Sequence, residues 1–386
     1  MIALAMWQNR PMPLNPALVR LTCFACETAH EPSGLQSTCR ACGLPLRADY
    51  DLTAARFSRS QLGGRSSSLW RYHEVLPLDP KSAVTLSEGW TPLVQVGDRM
   101  WIKDEARNPT GSFKARGMSV AVSMARALGA RALAAPSAGN AAGALAAYGA
   151  AARLPVTVAM PEDTPRPFVE ECRHYGAEVS LVPGTIADSG RWLAEHRGRD
   201  TFDLSTLREP YRVEGKKTMA YELFEQLDGR LPSAIIYPTG GGTGLVGMWK
   251  AFSEMQALGW IGAERPRLVA VQAGGCAPIV AAFNAGKQKT TPWPNPQTAA
   301  FGLRVPSPIA GFICLRALHE TGGTAVAVAE NLIAPAMREL AARSGLDICP
   351  ETGAAWAATR ELQARGWIGP EDRTVVFNTG TGLKYR

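Results

Sequence analysis

Charge is the first thing this sequence is short of. Only 19% of its 386 residues are Asp, Glu, Lys or Arg, and no block of one sign occurs. That excludes a polyelectrolyte tail or a chain held open by self-repulsion. Lys+Arg 41 against Asp+Glu 34 leaves a formal net charge of +7, but the basic residues are scattered, which favours anionic small ligands over a nucleic-acid track. Long apolar runs are also missing. Each Ala-rich stretch is broken by Pro, Asn or Arg and the mean hydropathy is −0.07, so no membrane span is expected. The apolar start, Met1 to Trp7, has no basic n-region and is too short for a leader's apolar region, and a cytoplasmic chain is expected. Cysteine is too sparse for a disulfide scaffold: of eight, four form two CxxC pairs, while Cys172, Cys276, Cys314 and Cys349 stand alone, a usage that suits a reducing compartment. The histidines His30, His73, His174, His196 and His319 form no HExxH pair, and no G-x-S-x-G elbow occurs. Catalytic zinc and α/β-hydrolase chemistry therefore have no support.

What is present is a core-forming chain. Hydrophobic residues make up 46%, and the length suits two or three domains at roughly 150 residues each. Residues 20–50 are rich in cysteine and turn formers, and Phe57 to Leu69 is a Ser/Gly/Arg stretch with no sustained apolar period. The expected organisation is an N-terminal module over 1–56, a linker and lead-in over 57–100, and an α/β unit over 101–386. In that unit β-rich runs (RALAAP, LPVTVAMP, SAIIYP, RLVAVQA, TVVFNTG) alternate with helical patterns, as parallel α/β folds require. Gly, Asn, Ser or Thr stands at the strands' C-terminal ends, where open α/β sheets bind ligands. Leu332, Ala336, Leu340 and Ala341 recur at helical spacing and are expected in a core. The adjacent pairs Glu170-Glu171 and Glu371-Asp372 point about 100° apart on a helix and are expected as solvated charges.

The pairs Cys23-Phe-Ala-Cys26 and Cys39-Arg-Ala-Cys42 are separated by 12 residues. Each knuckle brings two thiolates to one side of a tight turn, as tetrahedral Zn²⁺ requires. Gly43 follows the second pair, where such a knuckle often needs positive φ. Four soft ligands close the coordination set, so the expected metal is structural. Zinc ribbons often bind nucleic acid, yet only Arg20, Arg40 and Arg47 are basic within 20–50, a thin footprint.

Downstream, a short β-rich segment over 233–238 runs into Thr239-Gly240-Gly241-Gly242-Thr243-Gly244 and then a helical pattern. Glycines let the backbone fold around an anion, and the helix start favours a phosphate. No Gly-Lys-Ser/Thr follows, which sets Walker A aside. Gly242, Gly244 and Gly247 satisfy GxGxxG, but the next strand ends at Gln272 instead of an acid that would hold a ribose. The cradle fits the phosphate of a smaller cofactor better, with a merely tight strand-to-helix turn as the bland alternative. In Asn108-Pro-Thr-Gly-Ser-Phe-Lys114-Ala-Arg-Gly117, the lysine stands just inside a helix with Ser112 as expected N-cap. A cation is disfavoured at a helix N-terminus, so the amine should be more nucleophilic than usual. An amine that can form a Schiff base, together with a phosphate cradle, suggests pyridoxal phosphate.

With those residues in view, the sequence resembles the fold-type II pyridoxal-phosphate enzymes, and within them the threonine synthase family. The likeness runs from the cysteine ribbon through LSEGWTPL (86–93), NPTGSFKARG, SAGNAAGALAAYGA, PYRVEGKKT, PTGGGTG and the terminal NTGTGLK. It implies two open twisted, mostly parallel sheets flanked by helices, the smaller domain lying roughly over 120–220, with a small zinc ribbon in front. It implies that Lys114 carries the cofactor and shuttles protons, that Asn140 contacts the cofactor's 3-hydroxyl, and that the loop Ser137, Ala138, Gly139, Ala141 receives the substrate carboxylate. Gly240, Gly241, Gly242, Thr243 and Gly244 would hold the phosphate, and Thr379 would hydrogen-bond the pyridine nitrogen. The implied reaction converts O-phospho-L-homoserine and water to L-threonine and phosphate, and a homodimer is expected by the same likeness.

The sequence also departs from the family pattern. Ala115 stands where the family usually has Asp, Asp163-Thr-Pro-Arg-Pro-Phe168 where lysine is usual, and Thr185 and Glu209 where Asn is often found. Ala115 removes the acid of a capping box with Ser112 and so bears on local stability and electrostatics. The segment 163–168 is closer to the dehydratase relatives, and the departures after Ala115 bear on the substrate more than on the cofactor. They keep open a dehydratase of threonine or serine, and a β-replacement enzyme making cysteate or cysteine. A reading of another class is an inactive scaffold that binds nucleic acid through its ribbon. An anionic leaving group needs positive partners, for which Arg166, Lys216, Lys217 and Arg304 are the candidates.

Overall fold

Residues 14–386 are described in the computed structural model, so the stretch Met1 to Trp7 lies outside the described residues. The ribbon pairs three antiparallel strands, β1 (Leu18–Cys23), β2 (Ala29–His30) and β3 (Leu46–Tyr50), in the order β2-β1-β3. After it come β4 (Leu93–Gly97), β5 (Met100–Asp104), α1 (Lys114–Ala127), β6 (Ala132–Pro136), α2 (Asn140–Ala152), β7 (Val156–Pro161), α3 (Arg166–His174), β8 (Glu178–Val182), α4 (Ile186–His196) and β9 (Thr201–Asp203). The chain continues with α5 (Tyr211–Gln226), β10 (Ala234–Pro238), α6 (Thr243–Ala257), β11 (Arg267–Ala273), α7 (Pro278–Asn284), α8 (Gly311–Glu320), β12 (Thr324–Val328), α9 (Glu330–Ser344), α10 (Pro350–Ala364) and β13 (Thr374–Asn378).

Two parallel sheets result. One has six strands in the order β12-β11-β10-β13-β5-β4, with only the edge strand β4 antiparallel; the other has four, β8-β7-β6-β9. The central strands β10 and β13 are buried at every position, as expected of strands covered by helices on both faces, and this is why their middles read as continuous apolar runs. Four strand ends point chain segments at one place: β5 leads to the turn before Lys114, β6 to Ser137–Asn140, β10 to the glycine loop and β13 to Thr379. These are C-terminal ends, the edge at which open α/β sheets build ligand sites.

The ribbon is not a hanging bead. Leu18, Leu21, Leu46 and Ala48 share one hydrophobic core with Met118, Val122, Leu145 and Tyr148 of α1 and α2. The segment 57–100 is likewise packed: Phe57, Leu62, Tyr72 and Val75 enter the largest core, and Leu69, Trp70 and Leu76 the ribbon-side core. In α9, Ile333, Ala336 and Leu340 face inward. Leu332, expected with them, is 50% exposed, because the buried stripe passes one residue to its side. Among the described residues no helix is long and apolar enough to cross a membrane.

Candidate active site

Three helices set the geometry, and they approach closely because glycines line their contacts. A Cβ on Gly117 of α1 would lie 2.9 Å from the Arg212 carbonyl oxygen of α5, and one on Gly247 of α6 would lie 2.9 Å from the Lys217 nitrogen. The close approach gathers Lys114 at the start of α1, Arg212 and Lys216 on α5 and Thr243 at the start of α6. Both Lys114 Nζ and Lys216 Nζ sit over the Phe113 ring, 4.3 and 4.7 Å from its centroid. Lys216 Nζ donates to Thr243 Oγ1 at 2.9 Å.

Lys114 opens its helix as expected, but Ser112 does not cap it. The N-cap is Phe113, and Ser112 Oγ is buried with no hydrogen-bond partner among the described residues. The reason is that Ser112 is held extended by its β-bridge to Gly380, while Phe113 N donates to Thr379 O at 3.1 Å. The lysine loop is thereby stitched to the loop after β13. Burial, and then the Arg212 cation, pull the Lys114 amine down to about 8, so that its neutral, proton-accepting form is far more accessible near physiological pH than an ordinary lysine's. The same causes, burial foremost and then Arg212 and Lys114, hold Lys216 well below the usual lysine range.

The glycine loop forms a cradle. Gly242 has φ +82°, a left-handed conformation, and a Cβ there would also collide with Cys314 Sγ. The N–H groups of Gly240, Gly241 and Gly242 donate to no acceptor among the described residues, and the N-terminus of α6 points the same way at Thr243 and Gly244. The loop Ser137, Ala138, Gly139, Asn140, Ala141 at the end of β6 is half-buried, and a Cβ on Gly139 would meet open space. Asn140 opens α2, and its Nδ2 would lie 3.2 Å from a Cβ on Gly380, the residue after Thr379. Thr379 is buried, with its N–H on Thr352 Oγ1 at 3.1 Å and its hydroxyl 3.7 Å from Cys349 Sγ. Burial pushes the Cys349 thiol up to about 12.

Of the four candidate phosphate partners, two are paired elsewhere and one stands in solvent. Arg166 is 88% exposed, Arg304 pairs with Asp163 at 2.8 Å, and Lys217 is locked to Glu214 and Glu254 at 2.6 and 2.8 Å. Only Lys216 turns into the site. Sequence reasoning missed Arg212, which is fully enclosed beside it and donates to Leu204 O, although it lies within PYRVEGKKT. Glu209 is buried, accepts from the N–H groups of Tyr211 and Arg212, and is raised to about 7 by burial. Thr185 is an exposed N-cap whose hydroxyl meets Asp188 at 2.7 Å.

The four ribbon cysteines converge, with all four sulfurs within 4.8 Å of one another and Cys23–Cys42, Cys26–Cys39 and Cys26–Cys42 at 3.5, 3.6 and 3.4 Å. Thiolates at about 2.3 Å from a tetrahedral Zn²⁺ stand about 3.8 Å apart, so the set fits that ion. Gly43 has the anticipated positive φ, +73°.

The fold and this lysine-facing cradle define a class, and the comparisons agree: the family described as pyridoxal-phosphate dependent enzyme matches residues 84–380. The chain is 34% identical to a threonine synthase of Methanosarcina acetivorans over 376 residues, 95% of this chain and 92% of that one. It is 33% identical to a threonine synthase of Methanocaldococcus jannaschii, covering 94% and 92%. Among solved structures, a threonine deaminase from T.th. superposes with a TM-score of 0.62 at 27% identity over 75% of this chain and 92% of that one. Maize serine racemase, at 23% identity, gives 0.63 over 76% and 88%, a likeness of fold alone. The chain belongs to the pyridoxal-phosphate dependent enzymes and, within that class, to the threonine synthase family.

The residues fit that cofactor. The three free N–H groups of the cradle and the orphaned buried Ser112 hydroxyl have no acceptor among the described residues, and a phosphate monoester offers several.

Proposed function

We propose that this chain converts O-phospho-L-homoserine and water to L-threonine and inorganic phosphate, with pyridoxal phosphate carried on Lys114. The observation that carries this reading is the charge around the amine. Lys216 and Arg212 are fully buried and form no ion pair among the described residues, and buried cations persist only where a counter-charge arrives. A cofactor phosphate and a substrate phosphate together supply that charge, whereas a threonine or serine substrate brings no second phosphate.

In this reading Gly240, Gly241, Gly242, Thr243 and Gly244 hold the cofactor's phosphate, Asn140 meets its ring hydroxyl, and Ser137, Ala138, Gly139 and Ala141 receive the substrate carboxylate. Bound there, the cofactor withdraws electrons from the substrate's Cα and makes neighbouring protons acidic. Thr379 would face the ring nitrogen. Its hydroxyl neighbours a protonated thiol, not a carboxylate, which keeps that nitrogen neutral and suits elimination and replacement at Cβ and Cγ. Lys114 would take the Cα proton and then one Cβ proton as the Cγ–O bond breaks, phosphate leaving with the electron pair; the Cβ proton then goes to Cγ. Water's oxygen bonds to Cβ, the proton it releases goes to the departed phosphate, and Lys114 returns a proton to Cα.

The deciding assay is phosphate release from O-phospho-L-homoserine with amino-acid analysis of the same mixture. Equal amounts of threonine and phosphate are the expected result. Ammonia and a keto acid from threonine or serine, with no phosphate released, would replace this reading with the dehydratase one, which the segment 163–168 favours; a sulfur-bearing product would mean β-replacement. The reading further includes a structural Zn²⁺ on Cys23, Cys26, Cys39 and Cys42, a homodimer, a cytoplasmic location, no nucleic-acid partner, and the division into 1–56, 57–100 and a two-domain unit over 101–386. Metal analysis should find about one Zn²⁺ per chain, and four titratable ribbon thiols in metal-free protein would refute it.

A further inference from the structure

Lys384, two residues from the C-terminal Arg386, has three N–H donors and meets three acceptor groups from three separate segments. Its Nζ lies 2.7 Å from Thr110 O, 3.1 Å from Asn140 Oδ1 and 2.8 Å from both Glu171 carboxylate oxygens. The ammonium and the carboxylate are only 15% and 13% exposed. Glu171, read from sequence as a solvated charge, is thus a largely enclosed counter-ion: Gly143 on α2 has no side chain, and its absent Cβ is what makes room for the carboxylate.

The chemistry of this contact is one-sided. An ammonium donates and never accepts, whereas an amide head has one accepting and one donating end. Lys384 therefore forces the Asn140 oxygen toward itself and turns Nδ2 the other way, toward the Thr379–Gly380 loop. Nδ2 has no acceptor among the described residues. Thr110, whose carbonyl Lys384 also holds, sits in the left-handed region at φ +57°, four residues before Lys114.

We propose that Lys384 is a positioning residue that fixes the amide of Asn140 so that its NH₂, and not its oxygen, is presented to the cofactor's ring hydroxyl. With Lys384 in place, the ionised ring oxygen receives a hydrogen bond; without it, the amide is free to flip and place oxygen against oxygen. This rests on the cofactor reading and not on the choice of substrate.

The test is the visible spectrum and cofactor affinity of the pyridoxal-phosphate-loaded full chain, in wild type, Lys384→Met, Lys384→Arg, Asn140→Ala and the Lys384→Met/Asn140→Ala pair. Lys384→Met is expected to move intensity from the long-wavelength to the short-wavelength band and to weaken cofactor binding roughly tenfold, the size of one charge-assisted hydrogen bond. Lys384→Arg, also a pure donor, should keep the wild-type spectrum, and the double variant should be no worse than Asn140→Ala. A wild-type band ratio in Lys384→Met, or effects that simply add in the double variant, would overturn the proposal. Should Lys384→Met not fold, Lys384→Gln decides against Lys384→Arg: Gln can accept or donate, so identical spectra for the two would also overturn it. A wild-type protein with no visible band would instead sink the cofactor reading itself.

Discussion

Lys216 and Lys217 are neighbours on one helix, both with fully buried side chains, and they have opposite fates. Lys217 meets two carboxylates, Glu214 and Glu254, which also hold Lys250: two cations against two anions. Lys216, about 100° around the helix, meets a threonine hydroxyl and no carboxylate. Helix α1 repeats the contrast. Lys114 faces the site, while Arg116, two residues on and so near the opposite face, joins Lys103 against Glu105 and Glu222 with every side chain fully buried. Charge balanced within the protein holds helices together; charge left unbalanced marks where a ligand must come.

The largest effect expected on the unbalanced side is at Lys114 itself. Lys114→Ala should lose turnover by ~10³-fold or more, since proton transfer at the substrate loses its base, and should lose the covalently held cofactor's visible band. Its stability effect has the opposite sign. The amine is pulled from 10.5 to about 8, so between those values the unfolded chain binds more protons and folding becomes more favourable as pH rises. Cofactor-free Lys114→Met should therefore be more stable than wild type below pH 8, by at most about 3 kcal/mol, with the difference fading by pH 10.5. Thermal unfolding of both apo proteins across that range checks it, and a gap that stays constant with pH would break the account.

On the balanced side, Glu222→Gln leaves Arg116 and Lys103 short of a counter-charge. It should destabilise the protein by about 3–5 kcal/mol, the range for breaking a buried pair, by denaturant unfolding of the apo protein. The two cations hold Glu222 down to about 2, against an ordinary glutamate value of about 4.3. Its contribution is thus present above that ordinary value and lost as pH falls toward 2, and the variant's deficit should shrink in acid.

How much of this was legible beforehand follows the range of the interactions. The ribbon, the glycine cradle and the parallel strands were readable because their determinants lie within a few residues: CxxC spacing, a strand run into glycines, the β-rich runs. Lys114 was reached from its helix start taken together with the glycine cradle, whereas Thr379 was readable only through the family likeness. Arg212 and Lys384 were not singled out, although both lie inside motifs that carry the likeness, and Glu171 was expected in solvent. Lys384 meets Glu171 and Asn140 from 213 and 244 residues away, and local pattern carries no trace of such a pairing. Ser112 failed for a related reason: a bridge to Gly380 overrode its capping preference.

The smallest effect makes the sharpest comparison, because it changes adjacent residues in the same way. Lys217→Met strands Glu214 and Glu254 with one cation between them and should destabilise the apo protein by several kcal/mol. Lys216→Met removes an amine that burial already holds well below the usual lysine range, so apo stability should hold or rise slightly. The loss should appear instead in cofactor affinity, roughly tenfold, as the donor beside Thr243 disappears from the phosphate cradle. Cofactor titration and apo unfolding of the two variants give four numbers. If both destabilise alike, Lys216 is structural and its isolation from carboxylates means nothing; if stability falls only for Lys217→Met and cofactor binding only for Lys216→Met, the unpaired lysine is there for the anion that binds it.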